Sequence, residues 1–374
     1  MKQNKKNILL VFGTRPEVIK MAPVVKEFRK FPNRFRTIVC VTGQHRQMID
    51  PLLKLFKIKV DVDLNLMRKN QTLEHITTAV LHEVGLLIEK HKIDCVVVQG
   101  DTTTAMAAAL AGFYKKIKVA HVEAGLRTKD KYHPYPEEIN RRIIDTFADH
   151  YFAHTQLAKQ NLVKEGVKSS AIDVTGNTVI DALLETATKK YDFSRTPLAK
   201  AVDDPRRLIL MTAHRRENFG QPIKDICEAV KMLAHEHRKN FKFIYPVHLN
   251  PNIKGPATSI LDNIDNVYLC EPLEYLPMVQ LIKKSYLVLT DSGGLQEEAP
   301  SLGKPVLVLR QTTERPEGVT AGCVEVIGMN KRTIIKKVNK LIFDARKYQR
   351  MSKSANPYGD GKASQRIIKR LFSL

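Results

Sequence analysis

The chain of 374 residues has no tryptophan and no apolar run long enough to cross a membrane. Its longest apolar stretch, from Ala105 to Phe113, is far shorter than the roughly 18 residues that a spanning helix needs. The N-terminal run Ile8–Phe12 is shorter than the apolar core of a signal peptide. We therefore expect a soluble, cytoplasmic protein with no membrane partner.

Cysteine is also scarce, with five residues and no Cys-x-x-Cys pair. The five are Cys40, Cys95, Cys227, Cys270 and Cys323. Their odd number and wide spacing, with three of them in apolar strand-like runs, favour reduced core thiols over disulfides or metal ligands. We expect no metal site.

Acidic residues are outnumbered, since 39 Asp and Glu face 61 Lys and Arg and leave a net charge of +22. Such an excess is typical of nucleic-acid-binding proteins. Half of it, however, lies in residues 331–374, where Ile334, Val338 and Leu341 recur at helical spacing between lysines. Because no aromatic platform is interleaved with these lysines, we interpret the segment as a solvated helix face and expect no nucleic-acid partner.

The pattern along the chain predicts an α/β protein with two doubly wound parallel sheets. Length and an ordinary hydrophobic content of 43% agree with two packed domains. Predicted strands are Ile8–Phe12, Thr37–Thr42, Cys95–Gln99, Lys118–Val122 and Tyr151–Ala153, then Arg207–Met211, Phe241–Val247, Val267–Leu269, Tyr286–Thr290 and Pro305–Val308. Predicted helices of the first half are Val18–Phe28, Leu73–Glu89 and Thr103–Tyr114. We expect domains at 1–185 and 206–354, a polar linker at 186–205 and a C-terminal segment at 355–374.

Two predicted turns after strands suit an anionic ligand, because ligands of open parallel sheets bind at the carboxyl ends of the strands. Arg15 stands at a helix start behind Gly13, without a dinucleotide fingerprint; it is either a phosphate contact or a surface arginine. The run from Asp291 to Gly294 also opens a helix, which favours a diphosphate, and Glu298 one turn later suits ribose hydroxyls. A structural glycine-rich turn is the alternative there.

Three carboxylates also follow strands of the first half, namely Asp101, Glu123 and Glu137. Converging carboxylates can carry out acid–base chemistry, although acids at such positions can simply cap helices. In the second half, His214 lies beside Arg215 and could donate to a phosphate or a leaving oxygen; a surface cluster at a helix start is the alternative. His248, alone at a strand end, is either structural or functional.

Eight motifs together closely resemble the bacterial non-hydrolysing UDP-N-acetylglucosamine 2-epimerases, over nearly the whole chain. They are Val11-Phe12-Gly13-Thr14-Arg15-Pro16-Glu17, Gly100-Asp101-Thr102-Thr103-Thr104, His121-Val122-Glu123-Ala124-Gly125-Leu126-Arg127, Pro136-Glu137-Glu138, Thr175-Gly176-Asn177-Thr178, His214-Arg215-Arg216-Glu217-Asn218, Asp291-Ser292-Gly293-Gly294 and Thr313-Glu314-Arg315-Pro316-Glu317. The tail segment Asn356-Pro357-Tyr358-Gly359-Asp360-Gly361 extends the resemblance.

The resemblance implies a glycosyltransferase-B-type fold, with two Rossmann-like domains facing a cleft and the last helix crossing back onto the first domain. The N-terminal domain would carry the catalytic carboxylates and the C-terminal domain would bind UDP. It also implies reversible epimerisation of UDP-GlcNAc at C2 through elimination of UDP, in a homodimer, with no cofactor. The alternatives are an epimerase of a modified UDP-HexNAc sugar, a hydrolysing epimerase that releases free ManNAc, a UDP-sugar glycosyltransferase and a catalytically inactive UDP-sugar sensor.

The same resemblance assigns roles residue by residue. Catalytic roles fall to Asp101, Glu123, Glu137 and His214; substrate-binding roles to Arg15, Lys20, Ser292, Gly293, Gly294, Glu298 and Arg315; and roles in a second, regulatory UDP-GlcNAc site to Gln44, His45, Gln47, Arg215 and His248. Two positions depart from the family pattern. Asn70 stands where an arginine is common, and Met278 stands where a phenylalanine is frequent near the uracil.

Overall fold

The computed structural model describes residues 5–43, 46–66, 68 and 71–374, with the side chains of residues 46 and 47 excepted. The chain divides into two compact units. The first comprises Met1–Ala182 and Tyr358–Leu374, and the second comprises Leu183–Pro357. The predicted fold class is confirmed, because each unit is an α/β assembly on a parallel sheet.

The first unit has, within its described residues, a seven-stranded sheet in the order β3-β2-β1-β4-β5-β6-β7. Its strands are β1 (Lys6–Phe12), β2 (Phe35–Val41), β3 (Val62–Asp63), β4 (Cys95–Gln99), β5 (Lys118–Ala124), β6 (His150–Ala153) and β7 (Ile172–Val174). Its helices are α1 (Arg15–Arg29), α2 (Arg46–Phe56), α3 (Leu73–His91), α4 (Thr103–Tyr114), α5 (Glu137–Phe147), α6 (Gln156–Lys164) and α7 (Thr178–Ala187), the last of which runs into the second unit. The central strands are buried, as expected of a parallel sheet covered on both faces.

The second unit has a six-stranded parallel sheet in the order β10-β9-β8-β11-β12-β13. Its strands are β8 (Arg207–Thr212), β9 (Phe241–Pro246), β10 (Val267–Cys270), β11 (Ser285–Thr290), β12 (Val306–Val308) and β13 (Val324–Val326). Its helices are α8 (Ala199–Asp203), α9 (Gln221–Glu236), α10 (Pro251–Leu261), α11 (Tyr275–Lys284), α12 (Gly293–Ser301), α13 (Pro316–Thr320), α14 (Lys331–Phe343) and α15 (Ala345–Lys353).

Each sheet reverses its strand order at one point, between β1 and β4 in the first unit and between β8 and β11 in the second. At such a reversal the two following loops diverge to opposite faces and leave a crevice that binds ligands. The sheet order therefore singles out the loops that begin at Gly13 and Gly100 in one unit, and at Ala213 and Asp291 in the other.

The sequence predicted ten strands close to their observed bounds, and it missed three of the four shortest. Val62–Asp63, Ile172–Val174 and Val324–Val326 span only two or three residues each. They are strands because a neighbouring strand offers them a hydrogen-bonded edge. So short a run carries no periodicity of its own.

The polar stretch 186–205 adds apolar side chains to the second unit. Phe193, Leu198 and Ala201 are buried in one of its hydrophobic clusters. The C-terminal helix α16 (Ala363–Leu371) belongs instead to the first unit and packs on α1. Phe372 extends that contact by stacking edge-on against Phe31.

No helix among the described residues is long and apolar enough to span a bilayer. All five cysteines are free thiols, four of them buried and Cys270 half-buried. Burial raises the pKa of the Cys40 thiol to about 12, which makes it a poor nucleophile at neutral pH.

The basic C-terminal segment forms the predicted amphipathic helix. In α14, Ile334, Val338 and Leu341 are fully buried, while Lys336 lies on the exposed face. Lysines such as Lys336 thus lie on the solvated face of this helix, opposite its buried apolar face.

Replacing Ile334 by Ala should lower the free energy of unfolding by about 2–4 kcal/mol, because it leaves a cavity in the core of the second unit. Urea unfolding followed by circular dichroism measures this loss. The matched variant Lys336→Ala, two residues along the same helix, should change it by less than about 0.5 kcal/mol. A loss above about 1 kcal/mol from Lys336→Ala would show that the lysine is not merely solvated.

Candidate active site

Glu17 ties together the two loops at the strand reversal of the first unit. Its carboxylate accepts hydrogen bonds from the backbone N–H groups of Gly13 (2.9 Å) and Thr14 (2.7 Å) and from the Thr102 hydroxyl (2.6 Å). Burial raises the pKa of Glu17, and these donors oppose that rise. Gly13 is required here, since a Cβ would lie 2.0 Å from the Thr42 hydroxyl oxygen. The result is a fixed turn that leads into α1 at Arg15.

Glu123 presents a buried carboxylate near the end of β5. The residue has a φ of +66°, where the register of β5 shifts against β6, and such a conformation is costly for a non-glycine residue. Its Oε2 lies 2.5 Å from the Lys20 ammonium nitrogen and also accepts from the Gln99 side chain. Its Oε1 accepts from the Asn177 side-chain amide at 3.3 Å. The side chain is therefore oriented from α1, β4 and the loop after β7.

Helix α5 brings Asp101 and Glu137 to the same edge of the sheet. The helix begins at Glu137, and one turn later the Arg141 guanidinium lies 2.6 Å from the Asp101 carboxylate. The Asn140 side chain also donates to the Asp101 backbone carbonyl at 3.0 Å. The side chain of Asp101 remains 27% exposed, so it is held in place and still open to a ligand.

The alternative reading of Asp101 and Glu123 as helix caps is wrong. The N-cap of α4 is Thr102, whose hydroxyl accepts from Ala105 N, and Glu123 lies within β5. Neither Asp101 nor Glu123 is therefore the N-cap residue of the helix that follows it.

A buried charge network lies behind the Asp101 loop. His121 is fully buried, with Nδ1 2.6 Å from the Asp145 carboxylate and Nε2 2.7 Å from the Gly100 carbonyl oxygen. The Arg127 guanidinium lies 2.8 Å from the other Asp145 oxygen. Burial alone would raise the pKa of Asp145, but the charges and hydrogen bonds of His121 and Arg127 outweigh it and lower that pKa.

In the second unit, Asp291 organises the loop that carries His214. One of its oxygens accepts from the backbone N–H groups of His214 and Arg215, both at 2.7 Å, and from the Asn218 amide at 2.8 Å. The other lies 3.3 Å from His214 Nδ1. Burial lowers the pKa of His214 despite the nearby Asp291 charge, and Arg215 and His248 add to that lowering.

The glycine-rich turn opens α12 and is built for an anion. Ser292 is the N-cap, and the helix starts at Gly293, so free N–H groups and the positive helix end face the turn. A Cβ on Gly293 would lie 3.7 Å from the Arg215 guanidinium. The buried Nε of Arg215 makes no hydrogen bond within the described part of the chain.

Acidic and basic side chains surround the rest of this turn. Glu298, one turn into α12, accepts from the Tyr275 hydroxyl at 3.1 Å, and Gly294 lies against it. Arg315 is ion-paired with the preceding residue of the helix, Glu297. The His248 ring stacks on that of His214 with centroids 5.9 Å apart, and its Nδ1 accepts from Asn250 N.

The predicted residues thus fall into two sets. The first unit holds Arg15, Lys20, Asp101, Glu123 and Glu137, and the second holds His214, Arg215, His248, Ser292, Gly293, Gly294, Glu298 and Arg315. The predicted regulatory residues Gln44 and His45, and the side chain of Gln47, lie outside the described residues. No cluster of three or more His, Cys, Asp or Glu residues fit to hold a metal occurs in the described ranges.

Several supporting residues escaped the sequence reasoning. Arg141, Gln99 and Asn177 contact the predicted carboxylates, and Asp291 holds the His214 loop. Asn177 and Asp291 belong to motifs identified in the sequence, but the sequence assigned neither residue a role of its own. Arg141 follows Glu137 by one helical turn, so both lie on the same face of α5. This spacing is the sequence signal that could have pointed to Arg141 as part of the site.

Replacing Asp145 by Asn should lower the free energy of unfolding at pH 7 by about 3–5 kcal/mol, since it leaves His121 and Arg127 without their buried counter-charge. The Asp145 pKa is depressed in the fold, so its contribution is present above the ordinary value of 3.8 and is lost as the pH falls through the lowered one. Denaturant unfolding of wild type and variant at pH 7 measures this loss, and the difference between the two proteins should shrink only as the pH falls below 3.8.

The control is Glu165→Gln, which removes the more exposed partner of the same Arg127 and should cost less than about 1 kcal/mol. Equal losses from the two variants would contradict the importance of the buried pair.

Comparison with known proteins gives the family. A family model described as UDP-N-acetylglucosamine 2-epimerase matches residues 26–372. The Escherichia coli K12 UDP-N-acetylglucosamine 2-epimerase is 50% identical over 369 residues, which cover 97% of this chain and 98% of that one. The Campylobacter jejuni enzyme of the same name is 51% identical over 374 residues, with 97% and 96% covered.

Solved structures agree over almost the whole length. A UDP-GlcNAc 2-epimerase of Neisseria meningitidis, bound to UDP-GlcNAc, superposes with a TM-score of 0.88 at 48% identity and covers 98% of this chain and 100% of its own. A Listeria monocytogenes protein described as a putative UDP-N-acetylglucosamine 2-epimerase gives a TM-score of 0.92 at 46% identity, with 99% and 96% covered. An epimerase is an isomerase, so the predicted class of enzyme is confirmed. The chain belongs to the UDP-N-acetylglucosamine 2-epimerase family.

Proposed function

We propose that this protein interconverts UDP-GlcNAc and UDP-ManNAc by eliminating UDP and adding it back. The observation that carries the proposal is the oriented carboxylate of Glu123 beside the Lys20 ammonium group. The family, and the relative that binds UDP-GlcNAc, support the choice of substrate.

The first-unit carboxylates suit the chemistry at C2. In the elimination a base takes the C2 proton, the C1–O bond breaks, its electron pair leaves with UDP, and a C1=C2 double bond forms in 2-acetamidoglucal. Because that proton is only weakly acidic, departure of UDP leads and builds positive charge at C1, which carboxylates stabilise. Asp101, Glu123 and Glu137 supply the base and this electrostatic stabilisation, and the proton returns to the opposite face of C2.

The second-unit residues suit the departing UDP. The start of α12 at Gly293 and Gly294 offers N–H groups to the diphosphate, with Ser292 as a hydroxyl donor. Glu298 accepts hydrogen bonds from the ribose hydroxyls. Its negative charge would repel the diphosphate, so it suits the sugar part of the nucleotide. His214 donates to the leaving diphosphate, with the loop around it held by Asp291.

Arginines complete the anion binding. Arg15, at the start of α1, has the position of a diphosphate ligand. Arg315, which is paired with Glu297 of α12, would contribute positive charge to the substrate site.

Assembly, location and regulation extend this proposal. We infer a homodimer, supported by the exposed apolar side chains of Phe113 and Tyr114 on the first unit. A cytoplasmic location is supported by the five free thiols. A second, regulatory UDP-GlcNAc site would include Arg215 and His248, which lie close to His214.

Purified protein incubated with UDP-GlcNAc in D₂O should form UDP-ManNAc with deuterium at C2, as seen by NMR and mass spectrometry. Asp101→Asn should lower kcat by about 100-fold or more, because it removes an acid–base or stabilising carboxylate. UDP affinity, measured by calorimetry, should stay within about 3-fold. The exposed Asp192→Asn is the control and should behave as wild type.

Two results would contradict this assignment. Absence of product and of deuterium, while another UDP-HexNAc sugar reacts, would move the substrate to a modified sugar. Loss of UDP binding in Asp101→Asn, with normal turnover of whatever substrate binds, would remove Asp101 from the catalytic group.

UDP binding should take up a proton at His214. Burial lowers the pKa of this histidine, so it is largely neutral at pH 7, and a bound diphosphate favours its charged form. UDP affinity should therefore increase as the pH falls from about 7.5 to 5.5 by more in wild type than in His214→Gln. Calorimetric titration of both proteins across this range measures the difference, in which the ionisation of UDP itself cancels. Parallel pH dependences would exclude His214 from the diphosphate site.

A further inference from the structure

Asn177 occupies a position that links Glu123 to the outer layer of the first unit. It is 2% exposed and lies between β7 and α7. Its side-chain nitrogen donates to Glu123 Oε1 at 3.3 Å, and its side-chain oxygen accepts from Val179 N at 3.1 Å. Both ends of the amide are thus engaged, which fixes its orientation.

The C-terminal segment holds the backbone of this residue. Asn177 N donates to the Tyr358 carbonyl at 2.6 Å. A Cβ on Gly176 would lie 3.1 Å from the Gly359 Cα, and a Cβ on Gly359 would lie 3.4 Å from Asn177 N. The two backbones therefore pack directly on each other, and a side chain at either glycine would separate them.

The segment is in turn anchored beside that contact. The Asp181 carboxylate accepts from the backbone N–H groups of Ala363 and Ser364, at 3.1 and 2.9 Å, and from the Ser364 hydroxyl at 2.6 Å. This caps the start of α16. Arg366 adds a hydrogen bond to the Thr175 carbonyl at 2.9 Å. The chain returns from the second unit at Tyr358, so the support is assembled from residues distant in sequence.

We propose that Asn177 is a positioning residue for the catalytic carboxylate of Glu123, and that the returning segment Tyr358–Leu374 is the outer support of Asn177. This rests on the proposed function of Glu123. Lys20 and Gln99 contact one oxygen of the carboxylate and Asn177 contacts the other, so the amide limits rotation of the carboxylate plane. Small displacements of a reacting group lower turnover strongly, so the amide acts on turnover without touching substrate.

The first test is Asn177→Asp, which keeps the shape and the acceptor for Val179 N but replaces the donor to Glu123 by a like charge. We expect kcat to fall at least 10-fold with UDP affinity within about 3-fold of wild type, because a negative charge at 3.3 Å disfavours the ionised form of Glu123. For the same reason the acid limb of the pH–kcat profile should move upward by about one unit. A purely structural role would not move that limb.

A double-mutant cycle with Glu123→Gln separates this proposal from the proposed function. When Glu123 is already Gln, adding Asn177→Asp should cause no further loss of kcat. If Glu123→Gln alone retains turnover, the proposed role of Glu123 fails. If Glu123→Gln is inactive while Asn177→Asp keeps wild-type kcat and acid limb, the positioning proposal is overturned.

The outer support is tested by Gly359→Ala, with Arg370→Ala as control. Gly359 has a φ of +135° and faces Asn177. Arg370, by contrast, anchors the opposite end of α16 from Ser364, through the Ser170 carbonyl. Gly359→Ala should lower kcat at least 10-fold with UDP binding retained, and Arg370→Ala should lower only the melting temperature. If Gly359→Ala has a much lower melting temperature than wild type, a second variant replaces it as the test. Ser364→Ala, which removes the hydroxyl bond to Asp181, should still lower kcat. Wild-type kcat in both, or loss of kcat in Arg370→Ala to the same extent, would overturn the role of the segment.

Discussion

The ion pair between Lys20 and Glu123 is the interaction on which the candidate site of the first unit depends. A buried carboxylate is tolerated only when a counter-charge and hydrogen bonds replace its hydration. Here the counter-charge comes from α1, and side-chain amides come from Gln99 at the end of β4 and from Asn177 after β7. The parallel sheet brings these elements together because the carboxyl ends of its strands share one edge. The left-handed backbone of Glu123 is kept by this surrounding structure, since nothing local favours it.

In the second unit a buried carboxylate again organises the site, but the side chains that it positions are basic. A buried carboxylate, Asp291, is surrounded by N–H donors and shapes the loop that bears His214 and Arg215. That loop stands next to the helix start at Gly293, and the result favours an anion. The large positive charge of the chain is mostly unrelated to this site, because much of it lies on solvated faces such as that of α14.

The sequence predicted the architecture and supplied the candidate reactive residues, but it did not predict the residues that support them. β4 and α4 have the predicted bounds, since their apolar runs and the cap at Thr102 are local signals. Asn177 could not be assigned a role, because β7 is three residues long and its contact with Tyr358 joins positions about 180 residues apart. The pairing of Asp101 with Arg141 likewise exists only once α5 is placed against the sheet. Motifs point to candidate reactive residues, whereas the residues that orient them depend on tertiary contacts.

We propose that the carboxylate of Glu123, held by Lys20, acts at C2 as base or as electrostatic stabiliser. The most direct test of this proposal is the rate at which deuterium from D₂O enters C2 of UDP-GlcNAc in Glu123→Gln, compared with wild type, with UDP affinity measured on the same samples. We expect exchange to fall by about 100-fold or more while UDP still binds. Exchange at the wild-type rate in the variant would contradict it.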